Sequence, residues 1–502
     1  MNGTIHRRRA LSSALRHSHG RPARWQPVVR QELAESRWRP LAFVGCLTAI
    51  TAAALLYANR ELAGDLFWLL AAGRHVDAHG VTGTDPFLTI AHGGHWYNQQ
   101  WLSEWLIFRL QQIGGLRLVS FAYALLLAAA LVPLAWACRR RDLARTVVAW
   151  VLFSGAAVCV LQPRAAGFSL LAFALVLAIV QAARRRGRRR LLLALPPLFA
   201  LWANLHGAFA AGLLLLGLLA LAAAIERRPR RLPRIRVGRA LPLAAAAAGA
   251  TAALLLTPLG AGLVDYMAEI ASNRALPLLT NEWLPTYEHP PALALVIAFA
   301  VFAAVLYRAH PRPRPLAPAL VAIGFVLFAL TAARQAVWLG PLAFYLVREL
   351  APAARWRVPR RLALPVAAVA AVALAVWWLG VPPTPTQANL MTAGADYAAV
   401  HPPRSGRVLM PSGTGSYMLW AHPRVQVVVD GRLEQYSARD LLTSYRLLAG
   451  RRSALGYLRR WRIGAVLTRN ATGARVLSRH GFRLVARVGG GYYLVARSNA
   501  LP

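Results

Sequence analysis

The chain of 502 residues is 57% hydrophobic and only 15% charged, with a mean hydropathy of +0.43, whereas a soluble domain carries about 25% charged residues. Its apolar residues fall into long blocks, mostly apolar all round and bounded by arginines, which excludes a soluble bundle of amphipathic helices. A net charge of +40 would suit nucleic acid, but the basic residues cluster between apolar blocks, so no nucleic-acid partner is expected.

All 58 basic residues are arginine, a bias that fits a GC-rich bacterial genome. Cys46, Cys138 and Cys159 all lie within apolar blocks, so neither a disulfide framework nor a zinc site is expected. The first 40 residues form a basic segment too long for a signal-peptide n-region, and the run from Leu41 to Ala58 reads as an uncleaved anchor. Further spans are expected near 117–137, 146–162, 168–183, 190–203, 207–225, 240–258, 292–307, 316–332, 336–350 and 363–380. The fold class is therefore an α-helical polytopic membrane protein of about eleven spans. Asn204-Leu205-His206-Gly207 interrupts what could otherwise be one long helix over 190–225.

With a cytoplasmic N-terminus, the inner segments carry 34 arginines and the outer loops seven, while the other 17 lie beyond residue 381. This is the asymmetry of the positive-inside rule. Nine carboxylates fall in outer loops and five on the inner side, so acid–base chemistry is expected on the outer face. The expected organisation is a basic segment 1–40, a multispanning domain 41–381 with a large first outer loop at 59–116, and an extracytoplasmic α/β domain at 382–502. In that last domain Arg407–Met410, Val425–Val429, Ile463–Thr468, Phe482–Val488 and Gly491–Arg497 read as strands. Ala438–Leu448, Ala454–Trp461 and Ala474–His480 read as helices, after the stiff linker Pro382-Pro383-Thr384-Pro385.

The first outer loop holds the densest polar chemistry. Asp65 falls one to two helical turns past the first span, where a carboxylate at headgroup depth could receive a lipid-linked substrate or simply cap a helix. Asp85-Pro86 is also a turn signal. The segment from Trp96 to Trp105 mixes Trp101, Asn98, Gln99, Gln100 and Glu104 next to His95. It suits either an aromatic belt or sugar recognition, in which rings stack on C–H faces and polar groups bond hydroxyls. Arg164, His206 and Arg334 stand at turns on the same side, where arginines either snorkel or fork onto a phosphate. Asn281-Glu282-Trp283-Leu284-Pro285 is placed to close over the same site.

These residues carry a family resemblance. Asp65, Trp68, Gly73-Arg74, Asp85-Pro86-Phe87 and the run Trp96 through Glu104 resemble the first outer loop of the GT-C superfamily of integral-membrane glycosyltransferases. They resemble most a little-characterised bacterial group within it. The turns at Arg164 and Leu205-His206-Gly207, the run Gly415 to Trp420, and Val429-Asp430-Gly431-Arg432 look like further matches. Relatives are expected to have an acidic residue or histidine within the segment that is Asn98-Gln99-Gln100-Trp101 here, which weakens a metal-binding reading of it.

The resemblance implies transfer of a sugar from a polyprenyl-phosphate donor to an extracytoplasmic acceptor at the bacterial inner membrane. Asp65 would be the general base, Arg164 and Arg334 would meet the phosphate charge, and His206 and His95 would be secondary candidates. Asp85 would assist the base or hold a divalent cation; the resemblance leaves the metal requirement and the oligomeric state open. Asp430-Gly431-Arg432 reads as an acceptor site or as a turn with Arg432 paired to Asp430 or Glu434. The alternatives are a non-catalytic envelope scaffold, or a lipid-linked glycan transporter or polymerase. A phosphatase reporter fused after Pro502 should be active outside the cytoplasm and one fused at His310 inactive; the reverse pattern would invert the topology.

Overall fold

The computed structural model describes residues 44–354 and 380–497, apart from short stretches at 46–47, 49, 58–60, 63, 91–94, 226–236, 381–382, 386–391, 401, 404–405 and 489–491. The basic segment 1–40, all but the last residue of the expected span 363–380, and the turn at Gly489-Gly490 lie outside the described residues.

Among the described residues, four helices are long and apolar enough to cross a membrane: Trp101–Cys138, Leu143–Val160, Ala166–Arg184 and Pro290–Ala309. Phe209–Ile225, Ala240–Ala253 and Leu316–Thr331 are apolar but shorter. The chain-order labels used below are α1 (Gly64–His79), α2 (Trp101–Cys138), α3 (Leu143–Ala157), α4 (Ala166–Arg186), α5 (Leu195–Leu205) and α6 (Phe209–Ile225). They continue with α7 (Val237–Ala253), α8 (Gly262–Ser272), α9 (Pro290–Ala309), α10 (Leu316–Thr331) and α11 (Leu339–Leu350). The expected interruption at Asn204–Gly207 separates α5 from α6. Non-helical backbone at Gly114 and Gly115 kinks α2, so its first part lies before the expected span at 117.

Side-chain direction explains the bundle. Ile297, Val301 and Val305 on α9 and Ile323 and Leu327 on α10 are 55–61% exposed, at four-residue spacing that puts each set on one helix face. Aliphatic groups facing outward without polar neighbours suit lipid. By contrast α11 is buried from Leu339 to Val347 and packs against α3, α9 and α2. Local signals set the ends: Asp142 caps α3 by accepting from the Arg145 amide at 3.0 Å, and Pro290 opens α9 behind a His289 cap.

The C-terminal part is α/β. It contains α12 (Thr392–Val400), α13 (Ser412–Ala421), α14 (Ala438–Leu448), α15 (Ala471–Ser478), and strands β1 (Arg407–Leu409), β2 (Ile463–Thr468), β3 (Phe482–Val488) and β4 (Tyr492–Arg497). The sheet order is β1-β2-β4-β3, with β1 parallel to β2 and the other two pairings antiparallel. Every residue of β2 is buried, which explains its unbroken apolar reading.

The expected strand at Val425–Val429 is reduced to one parallel bridge between Val427 and Val408. Thr89 of the outer loop donates to the Val427 carbonyl, so that edge is already covered. The expected helix Ala454–Trp461 breaks into a short 3-10 turn at Arg452–Ala454 and four helical residues at Tyr457–Arg460. Helix α13 was invisible in sequence because Ser412-Gly413-Thr414-Gly415-Ser416 are poor helix formers. Tertiary packing makes it: a Cβ on Gly64 of α1 would lie 2.7 Å from the Gly413 Cα, so only glycine lets the two helices meet this closely.

The first outer loop is mostly ordered helix. Leu66, Phe67, Trp68, Ile107, Val408, Met418, Leu467 and Leu494 share one core, so α1 is packed between the membrane bundle and the C-terminal sheet. Arg74 donates to the carbonyls of Leu419 (2.8 Å) and Trp420 (3.1 Å) at the end of α13. The tightest link is Arg432. It bonds Asp85 at 2.6 Å and Asp430 at 2.8 Å, with all three side chains at most 1% exposed. Removing the guanidinium would leave two buried carboxylates without their cation. Arg432→Met should therefore cost about 3–5 kcal/mol, read as a lowered Tm in detergent. Arg109→Met, which breaks the half-exposed pair with Asp77, should cost at most about 1 kcal/mol.

Candidate active site

Alternation of the helices brings the ends of α3, α5 and α10 and the starts of α4, α6, α9 and α11 to one end of the bundle. A cavity of about 440 Å³ opens there, walled by Asp65, Arg164, His206 and Arg334 together with Glu282, Gln99 and Gln100. Four of the residues singled out from sequence therefore meet in one place. Asp65 sits in the first turn of α1, where the helix N-terminus favours a negative charge.

Arg164, in the turn after α3, is 2.6 Å from Glu282 and 3.7 Å from Asp65. Arg334 lies over the Trp283 ring at 4.5 Å and makes no ion pair among the described residues. His206 bonds Ser169 Oγ at 2.8 Å, and Trp202 donates to the same hydroxyl at 2.7 Å. Burial, then the charges of Arg334 and Arg164, push the imidazole down to about 3, so His206 serves as a neutral hydrogen-bonding group.

The Asp65 side chain is 46% exposed, and it is the cavity that it faces. The surrounding protein raises its pKa above the ordinary carboxylate range; Arg164 opposes this, Glu282 adds to it, and Arg334 opposes it. A carboxylate moved toward neutrality is a better proton acceptor near pH 7 than an ordinary aspartate.

The remaining candidates are placed elsewhere. Asp85 is not in the cavity wall: one oxygen takes the amides of Phe87 (2.8 Å) and Leu88 (3.2 Å), as in a turn, and the other takes Arg432. Glu104 is buried at 1% exposure in the first turn of α2, outside the cavity lining. Trp101 donates its indole N–H to Asn204 at 2.6 Å, which braces the 204–207 turn. His95 is exposed, bridged to Thr84 and edge-on to Tyr97. Among the described residues, no group of three or more His, Cys, Asp or Glu side chains is placed to hold a metal ion. Of the Trp96–Trp105 segment, the amides Gln99 and Gln100 reach the cavity, while Trp96 is buried against Phe87.

Four further wall residues were not assigned to the cavity from sequence. Gly431, Leu433 and Glu434 come from the C-terminal domain, and Trp68 comes from α1. Glu434 is half-buried against the cavity, and desolvation moves its pKa from 4.5 up to about 7; its own backbone amide and Arg432 oppose this, while Asp430 and Asp65 add to it. A carboxyl whose pKa is raised on folding stabilises the fold fully below its unfolded value and loses that contribution as the pH climbs through the folded value. The Tm of the wild type should therefore fall from about pH 5 to about pH 8, and Glu434→Gln should flatten that fall. Equal slopes for the two proteins would remove Glu434 from the account.

No family model and no curated protein sequence matches the chain. Solved structures do. ArnT from Cupriavidus metallidurans bound to undecaprenyl phosphate matches at 16% identity and a TM-score of 0.51, covering 93% of this chain and 99% of that one. Its apo state gives a TM-score of 0.49 at the same identity and coverage. The apo oligosaccharyltransferase of Archaeoglobus fulgidus gives 0.48 at 12% identity, covering 84% of this chain and 69% of that one. At such identities the likeness is one of fold. The chain has the fold of the solved ArnT structure.

Proposed function

We propose that the protein is a membrane glycosyltransferase that moves a sugar from a polyprenyl-phosphate donor to a hydroxyl acceptor at the outer face of a bacterial inner membrane. The observation that carries this reading is the convergence of Asp65, Arg164, His206 and Arg334 on one cavity at one end of an apolar bundle. The likeness to ArnT, crystallised with undecaprenyl phosphate, supports a lipid-phosphate ligand.

In the proposed step the acceptor oxygen attacks the anomeric carbon of the sugar. The bond from that carbon to the phosphate oxygen breaks, and the electron pair leaves with the polyprenyl phosphate. The acceptor proton passes to Asp65. Arg334, which lacks a carboxylate partner among the described residues, meets the phosphate charge, and Arg164 joins it by exchanging Glu282 for phosphate oxygens. Attack from the face opposite the leaving group makes the reaction inverting. The N-terminus lies in the cytoplasm in this reading, and residues 382–502 lie on the outer side with the cavity.

Detergent-purified protein should bind undecaprenyl phosphate. Arg334→Gln should weaken that binding at least about ten-fold, the worth of one charge-assisted contact. Asp65→Asn should keep the binding but lose about 100-fold or more in turnover of undecaprenyl-phosphate sugars with an envelope extract as acceptor. Wild-type protein that binds no such lipid would sink the enzyme reading in favour of an envelope scaffold.

A further inference from the structure

The cavity has a second polar end built across the domain boundary. Trp68 is 8% exposed and lines the cavity, yet its indole N–H has no hydrogen-bond partner. A buried donor left unpaired is costly, so its position invites an acceptor atom from a ligand. Glu434 lines the same wall and makes no ion pair among the described residues. Its own backbone amide donates to the carboxylate, which leaves further acceptor capacity for a ligand.

Backbone geometry holds these groups together. The Gly431 amide donates to Ser416 Oγ at 2.9 Å. A Cβ on Gly431 would lie 2.6 Å from that oxygen and 2.9 Å from the Trp68 ring, so the 431–434 segment lies directly against the indole. Arg432, clamped by Asp85 and Asp430, fixes the residue between them.

We propose that the Trp68 indole N–H and the Glu434 carboxylate form a subsite for the sugar of the lipid-linked donor. The indole would donate to a sugar oxygen and Glu434 would accept from a sugar hydroxyl. The C-terminal domain then supplies part of the substrate site, and Asp85 acts on it indirectly as a positioning residue through Arg432. The inference rests on the glycosyltransferase reading of the cavity, and it separates sugar contacts from the phosphate contacts assigned to Arg164 and Arg334.

The test compares affinity for undecaprenyl phosphate with affinity for undecaprenyl-phosphate glucose, mannose and galactose, using the full chain in detergent. Glu434→Gln keeps shape while changing hydrogen bonding, and Trp68→Phe keeps an apolar ring while removing the indole N–H. Each should weaken binding of at least one sugar-bearing lipid about ten-fold and leave undecaprenyl phosphate affinity within about two-fold, which also shows that the variants fold. Gly431→Ala, which presses on Trp68, should repeat the pattern. Sugar-bearing lipids bound by both variants as tightly as by wild type would overturn the subsite and leave the enzyme reading standing. Equal loss for bare and sugar-bearing lipids would overturn it too, by assigning these residues to the phosphate or to folding. A wild type that binds none of the lipids would overturn the subsite together with the reading on which it rests.

Discussion

Arg432 is held between two aspartates in a site that water does not reach. Its three donors go to Asp85 at 2.6 Å and to both oxygens of Asp430, at 2.8 and 3.0 Å, while Phe87 lies 4.8 Å below the guanidinium. Tyr436 adds a 2.8 Å bond to Asp430. A buried cation of this kind tolerates little displacement, because moving any partner exposes an uncompensated charge to a low-dielectric interior. Asp85 belongs to the first outer loop and Asp430 to the C-terminal domain. The clamp therefore sets where that domain lies relative to α1, and with it the position of the 431–434 wall of the cavity.

The cavity's charges follow from that placement. Two arginines and three carboxylates face one another there, and only Arg164 is closely paired, with Glu282. Asp65 is near enough to Arg164 to feel it, but at 3.7 Å the pair is loose, and desolvation outweighs the attraction. That balance leaves a carboxylate able to take a proton and an arginine able to take a phosphate. A fully paired set would have neither capacity, because each charge would already be neutralised.

The bundle supplies the other half of the arrangement. Aliphatic stripes on α9 and α10 face outward, while α11 is enclosed. Around the 204–207 turn polar side chains find partners: Trp101 bonds Asn204, Asn204 bonds the Ala200 and Leu256 carbonyls, and Gln99 bonds the Ala203 carbonyl. These bonds tie the 204–207 turn to the outer loop, beside the cavity that His206 and Asp65 both line. A non-helical turn next to the membrane is tolerated because such partners satisfy its backbone and side chains.

The apolar helices among the described residues, their alternation and the gathering of Asp65, Arg164, His206 and Arg334 at one end of the bundle were legible in the sequence. They depend on local composition and on the parity of crossings, both of which are written along the chain. So were β2 and α14, whose apolar patterns match their burial, and the bounds of β3. Helix α13 was not, because its glycines and serines are chosen for close approach to α1 and carry no helical periodicity. Nor was the role of Asp85, whose turn signal was visible but whose partner lies 347 residues away. Glu434 and Trp68 gave no local sign of the cavity either. Which side chains share a wall is decided by long-range packing of the C-terminal sheet on α1, and only the tertiary structure sets that contact.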